Sequence, residues 1–250
     1  MWQWFHRLGS PRWFYHTSGK WLPWLSILAA ALLSLGVVWG LGFAPEDAKQ
    51  GNSFRIIYIH VPASFLALAG YYVMAISGAV GLIWKMKLAD MVMKSAAPIG
   101  AILTFVALVT GAIWGKPTWG TYWVWDARIT SMLVLFFLYL GVIALQYSYT
   151  SQDAASKASA VLSLVGMVNI PIIYKSVDWW YTLHQPATIR LTEAPSMHPD
   201  MFHPLLVMIL GFYCFYAVAL ILNTRVEILH RERRTRWVQD MVLNTREGQN

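Results

Sequence analysis

The chain has 250 residues, 57% of them hydrophobic and only 12% charged, with a formal net charge of +7. A soluble domain carries about 25% charged residues, so this chain reads as one solvated mainly by lipid. Its basic excess fits cytoplasmic loops of a membrane protein, not a nucleic-acid site, and its one cysteine, Cys214, excludes an internal disulfide.

Residues 1–23 mix Trp, His, Arg and Pro, with no continuous apolar core and no small-residue cleavage pattern, so they do not form a signal peptide. Trp2, Trp4, Phe5, Trp13 and Phe14 suit an aromatic segment lying at the membrane surface. Six stretches reach the roughly 20 apolar residues that a spanning helix needs. They are 24–43, 57–84, 96–115, 128–149, 158–175 and 204–223. The expected fold is an all-α membrane protein of six transmembrane helices, one integral-membrane domain over 1–250. Pro62 stands near the start of the second span, where first-turn amides lack intrahelical partners. Pro171 stands in the short fifth span, whose outer end is expected to be kinked or irregular.

Six spans put both termini on one side. That side collects thirteen Lys and Arg, including Lys85, Lys87, Lys94, Lys157 and six arginines after 224, against six on the other. The bias predicts cytoplasmic termini. Segments 44–56, 116–127 and 176–203 then face outward. The tail from Arg225 to Val238 alternates basic and apolar residues, as a basic stop behind the last span or as a docking helix for a cytoplasmic partner.

The chemistry-bearing residues gather on the outward side. Trp119, Tyr122, Trp123 and Trp125 fall within seven residues, followed by Asp126. Aromatic residues belong at membrane interfaces, but four so close, with Gly120 adding backbone freedom, exceed what an anchor requires. They suit a flat apolar platform for a porphyrin, a quinone, a lipid headgroup or another protein. Asp126 is placed either to cap the fourth span or to contact a ligand. Arg128 and Arg55, at outward starts of spans, are snorkelling residues or partners for a ligand's carboxylates.

Of seven histidines, His6, His16 and His230 are on the terminal side, and His60, His184, His198 and His203 face outward. Neutral imidazole is a good iron ligand, and two from opposite faces make six-coordinate haem. No Cys-x-x-Cys-His motif offers covalent haem attachment. A zinc site from His184, His198 and His203 would lack the usual fourth ligand. No Walker loop, His-Glu-x-x-His or Gly-x-Ser-x-Gly motif is present, so no nucleotide-hydrolysis or hydrolase chemistry is expected.

The run Trp119-Gly-Thr-Tyr-Trp-Val-Trp-Asp-Ala-Arg128 resembles the tryptophan-rich signature of haem-handling proteins of cytochrome c biogenesis. Tyr58-Ile-His-Val-Pro-Ala-Ser64 and Ser176-Val-Asp-Trp-Trp-Tyr-Thr-Leu-His-Gln185 resemble the two histidine segments of the haem exporter protein C family of bacterial cytochrome c maturation. The resemblance runs from the first span to the sixth. It implies a non-enzymatic component of the bacterial inner membrane that holds haem b at the periplasmic face. His60 and His184 match the axial ligands. Trp119, Trp123, Trp125 and Asp126 match the tryptophan-rich platform, and Arg55 and Arg128 fit as propionate partners. The implied partners belong to the same maturation system: an ABC-type ATPase, its membrane-embedded partner, a small single-span membrane protein and the periplasmic haem chaperone. An electron-transferring bis-histidine membrane cytochrome would place histidines at mid-depth. A secondary transporter would show mid-span charges and inverted repeats. The sequence carries neither pattern.

Overall fold

The computed structural model describes residues 7–185 and 197–247, with side chains through 241. Trp2, Trp4, Phe5, His6 and Arg190 lie outside the described residues. Helix α1 spans Pro11–Val37 and continues as a π-turn, Val38–Phe43. A 3-10 turn, Asn52–Ile56, leads into α2, Ile57–Trp84. Then follow α3, Lys87–Trp119; α4, Ala127–Ser148; α5, Gln152–Gly166; and α6, Asn169–Trp179. Helix α7 is Pro199–Arg231 and α8 is Arg236–Glu247. Six helical segments, α5 and α6 counting as one, are long and apolar enough to cross a membrane.

Four of the described helices, α1, α4, α5 and α7, begin where a side chain satisfies a free amide. Ser10 accepts from the Trp13 N–H at 3.4 Å and is followed by Pro11, whose missing N–H costs nothing there. Asp126 and Ser151 cap α4 and α5 in the same way. The fifth span breaks one turn before Pro171, and its outer end, expected to be kinked or irregular, is helical through Trp179. Pro171 cannot donate to the Met167 carbonyl, and the chain turns at Met167 and Val168 before α6 resumes the path.

Helices α2 and α3 form the centre, with α5 and α7 against α2, α4 against α3, and α1 on the outside against α7. The buried positions are rich in small residues: Ala63, Ala67, Ala96, Ala97, Ala107 and Ala160. Large apolar side chains such as Trp24, Ile76, Ile83, Ile102, Phe137 and Leu210 point outward. Water would invert this pattern. In lipid the tails are as apolar as leucine, so helices are held by close backbone approach, and large side chains gain nothing by hiding. Tyr139, fully buried, donates its hydroxyl to the Ala67 carbonyl at 2.8 Å, which satisfies a polar group that hydrocarbon could not.

The helices outrun the apolar windows read from sequence. The first starts at Pro11, not 24, and passes through Pro23; the third starts at Lys87, not 96; the sixth runs to Arg231, not 223. A hydropathy window stops at the first charges, but a helix continues wherever those charges are paired. Here Lys94 meets Glu227 at 3.0 Å and Arg231 Nε meets the same carboxylate at 2.5 Å. This ion cluster lies at one end of the bundle. Alternation of helix direction brings the start of α2, the end of α3, the start of α4, the end of α6 and the start of α7 to the other end.

Candidate functional site

His60 lies in the first turn of α2. Its Nδ1 is 3.1 Å from Thr110 Oγ1 on α3, and that hydroxyl donates to the Val106 carbonyl at 2.6 Å. A hydroxyl has one proton. With it committed to Val106, the oxygen accepts, so Nδ1 carries the imidazole proton and Nε2 keeps its lone pair. The ring sits directly on the α3 backbone at Gly111, where an added Cβ would stand 2.9 Å from His60 Cε1. On its edge is Trp114, with centroids 5.8 Å apart and planes at 76°. The Trp114 indole donates to Gln50 Oε1 at 2.7 Å, which ties the loop after α1 to the same corner.

Helix α3 ends at Gly120, whose φ of 79° is easy only for glycine. The chain reverses there, and Trp119 folds back against Gly115, where a Cβ would meet its ring at 2.9 Å. This brings the Trp119 indole to His184, with centroids 6.2 Å apart. Trp123 and Trp125 form a separate edge-to-face pair at 5.4 Å. The Trp123 indole N–H is buried with no acceptor among the described residues, and Trp125 is 74% exposed. Tyr122 lies under the Lys116 ammonium at 5.3 Å. The aromatic run therefore brings one ring, Trp119, to His184 and packs two others, Trp123 and Trp125, against each other.

His184 follows α6 in a stretch without regular structure. Its Nδ1 is 2.8 Å from the Gln185 carbonyl, an acceptor only, so Nδ1 again carries the proton and Nε2 is free. Its backbone N–H donates to Thr182 Oγ1 at 3.1 Å. Burial and then the positive charge of Arg128 push its pKa down to about 3, partly opposed by the bond to Gln185, so the imidazole is neutral at physiological pH. His60 and His184, 124 positions apart in sequence, bring their rings to a centroid distance of 6.4 Å with planes at 34°.

Asp126 has two tasks. One carboxylate oxygen accepts from the Ile129 N–H at 2.8 Å and caps α4; the other accepts from the Thr182 hydroxyl. The Arg128 side chain is half-buried and has no hydrogen-bond or ion-pair partner among the described residues, while its backbone carbonyl accepts from the Ser131 hydroxyl at 3.1 Å. Arg55 is committed elsewhere: its two terminal nitrogens donate to the Leu41 and Ala44 carbonyls at 2.8 and 2.9 Å, closing the end of the π-turn, while its buried Nε has no acceptor. His198 caps α7 by accepting from the Asp200 N–H at 3.3 Å, and His203 lies beside Trp39. Among the described residues no three His, Cys, Asp or Glu side chains form a metal-binding group.

Sequence reasoning missed Thr110, Gly111, Trp114 and Thr182. A signal existed for two of them, since Thr110 and Trp114 are four residues apart and share one face of α3. Thr182 gave none beyond lying two residues before His184.

A sequence model of the haem exporter protein C family matches residues 4–239. The haem exporter protein C of Escherichia coli strain K12 is 48% identical over 243 residues, covering 97% of this chain and 98% of that protein. The corresponding protein of Haemophilus influenzae is 46% identical over 239 residues, covering 96% and 97%. That of Bradyrhizobium diazoefficiens is 44% identical over 228 residues, covering 91% and 86%. With the match running through all six spanning helices and both histidine segments, the chain belongs to the haem exporter protein C family.

Proposed function

We propose that this chain binds haem as cargo at the periplasmic face of the bacterial inner membrane and presents it to a periplasmic haem chaperone for c-type cytochrome biogenesis. The observation that carries the proposal is the pair of neighbouring imidazoles, each with Nδ1 hydrogen-bonded and no hydrogen bond at Nε2 among the described residues. With metal–nitrogen bonds of about 2 Å and each ring centre roughly 1 Å beyond its nitrogen, trans imidazoles stand about 6 Å apart. The separation of 6.4 Å between His60 and His184 suits a haem iron held between them.

The remaining groups have roles that follow from their bonding. Trp119 packs beside His184 and would cover the porphyrin near its iron, with Trp123 and Trp125 as an adjoining apolar wall. Arg128 is the unpaired cation of the site and the best partner for a propionate. Arg55 has only Nε left to offer, so its part is mainly to anchor the first outer loop. Asp126 acts on the site through its cap and its hold on Thr182. The chain has no nucleotide-hydrolysis motif, so an ATP-driven step belongs to its partners. These are the ATPase of an ABC-type complex, the membrane-embedded protein paired with that ATPase, and a small membrane protein, with the periplasmic chaperone taking the haem. The thirteen cations on the terminal side against six on the other support the periplasmic orientation.

The test is spectroscopic. Purified with its pigment, the protein should show a six-coordinate low-spin haem spectrum. Replacing His60 or His184 with Gly should shift it towards five-coordinate, and replacing both should abolish binding and chaperone loading. A double variant with an unchanged spectrum and normal loading refutes the proposal.

A further inference from the structure

We infer that Thr182 is a positioning residue, a hydroxyl latch that fastens the His184 loop to the Asp126 carboxylate at the start of α4. The loop after α6 needs such a device. Between Trp180 and Gln185 the backbone is irregular, Tyr181 is 91% exposed, and Leu183 is exposed as well. Two of the loop's polar contacts stay local: the Trp180 N–H donates to the Ser176 carbonyl at 3.1 Å, and His184 Nδ1 to its own neighbour Gln185. Among the described residues, one hydrogen bond ties residues 180–185 to another element, from the Thr182 hydroxyl to Asp126.

The latch works through one oxygen with two jobs. Thr182 Oγ1 gives its proton to Asp126 and accepts the His184 N–H at 3.1 Å. The position of the His184 backbone is thereby referred to α4, whose first turn the same carboxylate caps at 2.8 Å. A bond to an ionised acceptor is roughly twice as strong as a neutral one, and the donating hydroxyl becomes a better acceptor in turn. Carboxylate, hydroxyl and amide make a short chain that sets how far His184 stands from His60. The inference rests on the reading of His184 as a haem ligand, and it assigns Thr182 a task that no side chain in contact with haem need perform.

The experiment uses the full chain in detergent, with and without haem, as wild type, Thr182→Val and Thr182→Ser. Valine keeps the shape and removes the hydroxyl; serine restores it. In the haem-free protein, hydrogen exchange of the 180–185 segment should run roughly three- to tenfold faster in Thr182→Val and return to the wild-type rate in Thr182→Ser. With haem, Thr182→Val should show a mixture of low-spin and high-spin species, and Thr182→Ser should be low-spin. Unchanged exchange in Thr182→Val overturns the latch whatever the haem spectrum does. If exchange rises but His184→Gly leaves the haem spectrum of the wild-type background intact, His184 is not a ligand, and the positioning claim falls with that reading. A Thr182→Ser variant as disturbed as Thr182→Val also overturns it, because bulk and not the hydroxyl then holds the loop.

Discussion

At the scale of residues, the site depends on proton placement as much as on the two imidazoles. Histidine offers a lone pair at only one nitrogen, and the hydrogen bond at the other decides which. Thr110 makes that decision for His60 because its own proton is already spent on Val106. Thr110→Val should therefore weaken the choice of tautomer, which the Ala107 carbonyl also favours, and lower haem affinity by about 10-fold, the low end of the usual effect of losing such a partner. Thr110→Ser should stay close to wild type. Haem titration followed in the Soret band measures the affinity, and nitrogen-15 NMR of labelled histidine in the haem-free protein reads the tautomer directly. Outward position narrowed seven histidines to four, and it was the resemblance of their two segments to a known family, not a local pattern, that singled out His60 and His184. Thr110, Gly111 and Thr182 were not legible, because their value lies in adjacency between segments 50 or more residues apart, which no local pattern encodes.

At the scale of elements, the spans were legible and their ends were not. Hydropathy located all six apolar segments, but the ion cluster of Lys94, Glu227 and Arg231 lets α3 and α7 carry helix past the apolar windows. The aromatic segment showed a similar split. Its composition was evident, but the fold separates Trp119, turned back at Gly120, from the Trp123–Trp125 pair. Proline was the most informative single signal. Pro171 removes the amide that would close on Met167, and the break between α5 and α6 sets the direction in which α6 delivers the His184 loop. Pro171→Ala restores that amide and should straighten the span. Nitroxide labels at Lys157 and Asp178, both exposed, should move farther apart by pulsed EPR, and the low-spin haem fraction should fall as the loop is carried away from α2. An unchanged label distance would mean that packing against α2 and α4, not the proline, bends the span.

At the scale of the whole molecule, the bundle is chemically polarised along its axis. One end carries paired charges and the arginine-rich approach to α8; the other carries two neighbouring imidazoles, an Arg128 side chain without an ion-pair partner among the described residues, and exposed Tyr122, Trp125 and Tyr181. Between them the buried interior is mostly alanine, glycine, serine and tyrosine, which packs helices tightly in lipid and leaves histidine out of mid-depth. That arrangement suits haem held at a surface and passed on, and suits less a cytochrome that stacks haems across the bilayer. That the imidazole end faces the periplasm is the expectation set by the cation count, since lysine and arginine resist translocation through the inner membrane. The expectation can be checked in intact cells after Cys214→Ser removes the one native thiol. Tyr181→Cys, at a fully exposed position of the histidine end, should react with a membrane-impermeant maleimide added outside. Arg234→Cys, exposed beyond the far end of α7, should react only after the membrane is permeabilised. The reverse pattern would put the neighbouring imidazoles in the cytoplasm, where a periplasmic chaperone could not reach the haem, and the handover reading would fail even with both ligands correct.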